Sequence, residues 1–319
     1  MGGNPACDEL MRTARKERKT TPSPRAAGRA WDLVPRGGLE LLQAPVLTRL
    51  AWLVHGFSTR QGGVSELGGR RVLNLGFTTW DVRERVLANR RRFFGAIGAG
   101  KMHVQALRQI HSDLAHHIDT AQARAGVAPK GDALFTRDRG VLLAVQTADC
   151  IPILLADTQR RAVAAIHSGW RGTLGRVGAK TLGRMQMEFG TRPEDVVAAL
   201  GPGIGRCCYE VGPDVAREFH AQFPEAHQWF DGPFDAVASS ENDPNWLPWL
   251  TMQPPGHRPP SPRVNLDLVA ANRAILTAAG IPGHQIFVSG FCTACRNDIL
   301  FSYRREGSTG RLMSAIGLR

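Results

Sequence analysis

A chain of 319 residues, 43% hydrophobic and 21% charged, can bury a sizeable core as one large domain or two smaller ones. No apolar run reaches the ~18 residues of a helical membrane span, so no membrane association is expected. The formal charge is +12, and the first 36 residues carry only part of it, with 8 Lys and Arg against 4 Asp and Glu. An excess of this kind can attract phosphorylated partners or nucleic acid. No basic helix with interleaved aromatics occurs, however, and specific nucleic-acid binding is not expected.

The opening segment, residues 1–36, is basic, rich in Pro, Ala and Gly and without apolar periodicity, so it reads as a solvated tail. It lacks the apolar stretch of a secretory signal, and the six cysteines are few, which together point to a reducing cytoplasmic location without disulfides. Strand patterns then fall near 51–58, 103–111, 141–146, 151–156, 162–167, 195–200, 285–289 and 311–317. Helical patterns fall at 82–97, 174–189, 213–222, where Pro213 suits a first turn, and 266–279. Strands alternating with helices at irregular spacing predict an α/β core with mixed sheets. Residues 224–263 break the pattern with nine prolines and three tryptophans, Trp229, Trp246 and Trp249, and read as an insertion.

Two strand-like runs end in reactive groups. "VQTADCIPILLAD" places Asp149 and Cys150 between apolar runs, and "RAVAAIHSGWRG" leads from Val163 to His167. The Cys150–His167 spacing is too long for one helical face and suits the ends of neighbouring strands. Such a pair serves either as thiolate nucleophile and base or as two metal ligands. His111 in "ALRQIHSDLAHHI" ends another apolar stretch and is the best third ligand, giving a Cys/His₂ set plausible for zinc with an open position. As strand neighbours, Asp149 and Cys150 should point to opposite sides unless the backbone bends, leaving Asp149 as a supporting group or proton carrier.

Two motifs are set aside. "GPGIG" at 201–205 follows a strand but fails G-x-G-x-x-G, because no glycine occupies the last place. Cys292-x-x-Cys295 is half of a zinc ribbon, and the adjacent Cys207 and Cys208 have the wrong spacing to complete it, so the pair reads as structural.

Seven strings occur in order: "HGFSTRQGGVS" (55–65), "NLG" (74–76), "RQIHSD" (108–113), "TADCIPILLAD" (147–157), "HSGWRGT" (167–173), "GPGIGRCCYEVG" (201–212) and "CTACRNDILFSYRREGSTGR" (292–311). Together they resemble the YfiH family, also called laccase-domain, multicopper polyphenol oxidoreductase or peptidoglycan editing factor. The resemblance covers about residues 45–319. It implies a single four-layer α/β/β/α domain at 37–319, with purine nucleoside phosphorylase and adenosine deaminase activities. Inosine, guanosine, adenosine or methylthioadenosine and phosphate would be the small-molecule partners.

Matched motif by motif, the resemblance places metal ligands at His111, Cys150 and His167. It puts Ser58, Arg60, Asn74 and Arg171 near nucleoside and phosphate, with Arg60 also among the catalytic residues. Zinc at the ligand set would activate water against the purine C6, while Arg60 or Arg171 would place phosphate against the ribose. The laccase label implies copper instead, but a multicopper cluster needs many imidazoles, and no His-x-His occurs among the ten histidines. A further alternative is a peptidoglycan-precursor amidase using Cys150 and His167.

Overall fold

The computed structural model describes residues 31–232 and 263–319. Its centre is a pair of six-stranded sheets. The first runs in the order β1 (Asp32–Arg36), β2 (Leu39–Gln43), β3 (Leu53–Ser58), β17 (Leu312–Leu318), β9 (Val141–Thr147) and β6 (His103–Ala106). The second runs β16 (Ile286–Val288), β12 (Val196–Leu200), β10 (Ile151–Asp157), β11 (Ala162–Ser168), β8 (Ala133–Thr136) and β7 (Ala115–His117). Both are mixed: β6 lies parallel to β9, β12 to β16 and β7 to β8, and the other pairings are antiparallel. A hairpin of β4 (Ser65–Leu67) and β5 (Arg70–Val72) and a small sheet of β13 (Glu210–Val211), β15 (Val264–Leu266) and β14 (Phe230–Asp231) complete the strands.

Side-chain alternation explains why the sheets stack. In β10, Leu154 and Ala156 join the inter-sheet core with Val163 and Ala165 of β11 and Leu143 and Val145 of β9. The intervening Ile151, Ile153 and Leu155 face the other way. A strand buried on both faces must be apolar throughout, which is why these runs read as continuous rather than alternating. All seven residues of β10 and of β11 are buried. Truncating Leu154, fully enclosed between the sheets, removes about 2–5 kcal/mol through lost transfer energy and the cavity left behind.

Helices cover the two outer faces. The chain-order set is α1 (Pro45–Thr48), α2 (Arg83–Ala96), α3 (Thr120–Ala125), α4 (Trp170–Leu174), α5 (Val177–Phe189), α6 (Pro213–Gln222), α7 (Leu268–Ala278) and α8 (Tyr303–Glu306). Phe93 of α2 packs with Val54, Leu142 and Met313 outside the first sheet. Leu182 and Met185 of α5, Phe219 of α6 and Leu276 of α7 pack outside the second. The result is α/β/β/α layering. Asp267 starts α7 by accepting the Ala270 amide at 2.8 Å, and Gly190 at φ +67° ends α5, where left-handed backbone suits glycine.

Several elements differ from the sequence reading. Residues 32–36, assigned there to the tail, form edge strand β1, because Trp31 is buried against Phe57 with ring centroids 4.8 Å apart and fastens this end of the chain. Residues 1–30 lie outside the described ones, as do 233–262 with Trp246 and Trp249. Trp229 is buried against Phe219 and Phe223. The strand expected at 103–111 stops at Ala106, so His111 sits in a loop, and β7 and β8 follow where no strand was expected. No helix among the described residues is long and apolar enough to cross a membrane.

Candidate metal centre and active-site cavity

The β10–β11 hairpin brings the first two ligands together. Its register pairs Ile151 with Ser168 and Pro152 with His167, so Cys150, one residue before β10, lies beside the end of β11. His111 arrives from the loop after β6 with φ +57°, a left-handed conformation that costs a non-glycine residue about 1 kcal/mol or more. The His111, Cys150 and His167 ligand atoms lie within 4.8 Å of one another, and the two imidazole rings meet edge to face at 4.9 Å. Gly169 makes this approach possible: a Cβ there would lie 2.8 Å from the Cys150 sulfur and 3.2 Å from His111 Cδ2.

Asp132, which the sequence reading did not single out, organises the cluster from behind. Fully buried at the start of β8, its carboxylate accepts the backbone amides of Ile110, His111 and Ser112 and the Ser112 hydroxyl. It also bonds His167 Nδ1 at 2.8 Å. One buried carboxylate therefore folds the His111 loop and orients the second imidazole, leaving His167 Nε2 for a metal. The only sequence signal for this role is the place of Asp132 immediately before the apolar run 133–135.

The electrostatics follow from the same contacts. Burial pushes the Cys150 thiol up, but the positive charge of His167 and hydrogen bonds from both imidazoles outweigh it and bring the thiol down to about 6. Burial lowers His167, yet the Cys150 thiolate and Asp132 raise it to about 9. Asp132, opposed by burial but bonded to His167 and Ser112, is held down to about 2. Without metal, the site at neutral pH is a thiolate–imidazolium pair. Its thiolate is ready to ligate, and metal must displace the His167 proton.

The donor set fits one zinc ion. Two imidazole nitrogens and a thiolate, with a carboxylate behind one histidine and an open side, match a three-ligand catalytic zinc site. A multicopper cluster needs more imidazoles than gather at any His/Cys/Asp/Glu group among the described residues.

These ligands form the floor of a cavity of about 950 Å³. Trp170, Tyr209 and Tyr303 contribute aromatic faces to it, and Arg171, Arg304 and Arg311 contribute cations. Arg171 stacks on Trp170 at 4.5 Å, Arg304 lies over Tyr209 at 5.2 Å, and Arg311 over Tyr303 at 5.8 Å. Gln109 positions the wall by donating to the Gln146 carbonyl and accepting the Gln146 amide, each at 2.7 Å. Asp149 also lines the cavity, at a φ of +98° that turns it out of strand geometry. Its carboxylate accepts the Thr293 hydroxyl at 2.6 Å and the Arg304 amide at 2.7 Å, which ties the 293–304 segment to the cavity.

Of the four residues expected to bind substrate, only Arg171 lines the cavity. The Arg60 guanidinium bonds the carbonyls of Asn297 and Leu300 and the carboxylate of Glu306, and stacks on Phe301 at 4.7 Å. Ser58 is buried and accepts the Met313 amide at 2.9 Å. Asn74 is buried too, donating to Gly76, Thr78 and Asp81 and accepting the Arg311 amide. These three hold backbone that carries cavity residues. The motif strings did not separate side chains that line the cavity from those that hold the fold.

The cysteines set aside earlier also meet. The sulfurs of Cys207, Cys208, Cys292 and Cys295 lie within 4.8 Å of one another, against the expectation from their spacing. Spacing is uninformative here because β12 and β16, which the two loops follow, are parallel neighbours and deliver both loops to one end of the sheet. Cys295 is disulfide-bonded, a departure from the expectation of none.

A family model described as multi-copper polyphenol oxidoreductase laccase matches residues 54–319. The purine nucleoside phosphorylase of Deinococcus radiodurans is 39% identical over 282 residues, covering 88% of this chain and 94% of that one. Adenosine deaminase RL5, from an unknown prokaryotic organism, is 34% identical over 270 residues, covering 82% and 93%. The crystal structure of the Bacillus licheniformis protein YfiH superposes with a TM-score of 0.74 at 28% identity, covering 91% of this chain and 99% of that one. With the same fold and a family model matched over residues 54–319, the chain belongs to the YfiH family, whose model carries the laccase description.

Proposed function

We propose that this chain is a zinc-dependent purine nucleoside enzyme that splits nucleosides with inorganic phosphate and deaminates adenosine. The observation that carries this reading is a Cys/His₂ ligand set on the floor of a cavity whose walls combine aromatic faces with arginines. The names of the relatives support the substrate class. His111, Cys150 and His167 would hold the zinc, which would supply the Lewis acidity that deamination at the purine C6 needs.

The chain's own residues do the rest. Asp132 fixes the His167 tautomer and aims its Nε2 at the ligand site. Trp170, Tyr209 and Tyr303 offer faces on which a purine stacks. Arg171, Arg304 and Arg311 pair with no carboxylate among the described residues, which leaves their charge for an anion. Arg171 is exposed beside Trp170 and is the phosphate-placing residue in this reading. Arg60, Ser58 and Asn74 act as positioning residues.

The test is chromatography of nucleosides incubated with the purified chain, with metal content measured on the same sample. Hypoxanthine and ribose 1-phosphate should form from inosine only when phosphate is present, and adenosine should yield inosine. A zinc-loaded protein that leaves both nucleosides untouched ends this reading.

A further inference from the structure

The four cysteine sulfurs lie outside the cavity lining and serve no step of the reading above. The sulfurs of Cys207 and Cys295 are 3.4 Å apart, and those of Cys208 and Cys295 3.5 Å. Four thiolates around one zinc at ~2.3 Å stand about 3.8 Å from each other, so the observed spread brackets a tetrahedral ion. Cys207 and Cys208 are consecutive, yet they lie in a turn and not in a strand, where successive side chains would diverge.

The backbone around them is built as a support. The Gly205 amide donates to the Cys292 sulfur at 3.2 Å, the kind of N–H···S contact that orients and stabilises a ligating thiolate. A Cβ on Gly205 would lie 3.1–3.4 Å from the Cys292 side chain and from the Cys207 sulfur, so glycine keeps that space open. Gly203 and Cys292 form a parallel bridge, with the Thr293 amide donating to the Gly203 carbonyl at 2.9 Å.

We propose that Cys207, Cys208, Cys292 and Cys295, once reduced, hold a second zinc ion that clamps the cavity wall. Four protein donors leave no open position, which makes the ion structural and not catalytic. Its two loops carry cavity groups directly: Tyr209 follows Cys208, and Thr293 follows Cys292 and holds the Asp149 carboxylate. Cys295 is disulfide-bonded in this structure, so filling the site requires a dithiol reductant. That reductant becomes a disulfide and passes two electrons and two protons to the Cys295 disulfide, which opens to two thiols. The four thiols then release their protons to solvent as the ion binds.

The full chain, purified under dithiothreitol with zinc and freed of excess metal and reductant, should contain about two zinc ions, and Cys292→Ser about one. Cys150→Ala, with the cavity ligand set broken, should also keep about one. Cobalt in place of zinc separates the centres spectroscopically, because only a thiolate-rich tetrahedral site gives the strong sulfur-to-cobalt absorption. That absorption should persist in Cys150→Ala and fall to about the level of a single thiolate in Cys292→Ser. If Cys292→Ser fails to fold, the cobalt spectrum of Cys150→Ala decides alone. Equal zinc content in Cys292→Ser and the parent, or a Cys150→Ala protein without the thiolate absorption, overturns the proposal. Neither result depends on which nucleoside the cavity accepts.

Discussion

Two sulfur-containing centres lie on this chain, and their differences show how donor number and surroundings set a site's role. The first has one thiol and two imidazoles, opens onto a cavity of about 950 Å³ and is backed by a buried carboxylate. The second has four sulfurs, no share in that cavity and the Gly205 backbone amide for support. Three donors and an open side leave room for substrate. Four donors close the sphere and leave only mechanical work.

The sharpest way to break this contrast is Cys150→Ala. Removing one of three donors should empty the cavity site and lower both nucleoside activities by roughly a thousandfold or more, read as kcat/KM. The same loss at the four-sulfur centre should leave the chemistry in place and weaken only its geometry. If Cys150→Ala keeps parental turnover, the cavity site is not the reaction centre.

The pH dependence of metal uptake is the next largest effect. His167 is raised to about 9, so between neutrality and that pH zinc must displace a proton from its ring. Apparent affinity should therefore climb about tenfold per pH unit, roughly a hundredfold between pH 7 and 9, and then level off. Below about 6 the Cys150 thiol is protonated as well, and the dependence steepens. Chelator competition across this range measures both slopes in the Cys292→Ser background, where the second centre is absent.

Asp132→Asn tests the support behind the cavity site. The amide keeps the shape but loses the charge that favours the His167 Nδ1–H, and metal affinity should fall roughly tenfold to a hundredfold. Stability should fall too. The carboxylate accepts three backbone amides, and an amide group cannot serve all of them equally well. Urea unfolding of the metal-free protein separates the two losses.

The parts of this molecule that were legible in the sequence are those set by local pattern. The runs at 141–146, 151–156, 162–167 and 311–317 are long, apolar and buried on both faces, and they became β9, β10, β11 and β17 with ends shifted by a residue or so. Cys150 and His167 could be paired because they end adjacent strands of one hairpin. Short elements such as β7 and β8 carry too few residues to show a period, and Asp132 was overlooked with them. The four-sulfur group was hidden for a different reason. It depends on two parallel strands lying side by side, a tertiary fact that no spacing along the chain encodes.

The motif strings did not distinguish the two arginines, and the smallest predicted effect exploits this. Arg171 and Arg60 both lie in matched strings, but Arg171 lines the cavity while Arg60 is held by Asn297, Leu300, Glu306 and the Phe301 ring. Arg171→Ala should raise the phosphate KM roughly tenfold, the scale of one charge-assisted contact, without changing unfolding. Arg60→Ala should do the reverse. Losing several hydrogen bonds to a mostly buried guanidinium costs about 2–3 kcal/mol in urea unfolding, while the phosphate KM stays within about twofold. The two arginines thus give opposite pairs of readings, so a general loss of structure cannot imitate the Arg171 result. A phosphate KM raised by Arg60→Ala as much as by Arg171→Ala would mean that the 296–306 segment, not Arg171 itself, governs the anion site.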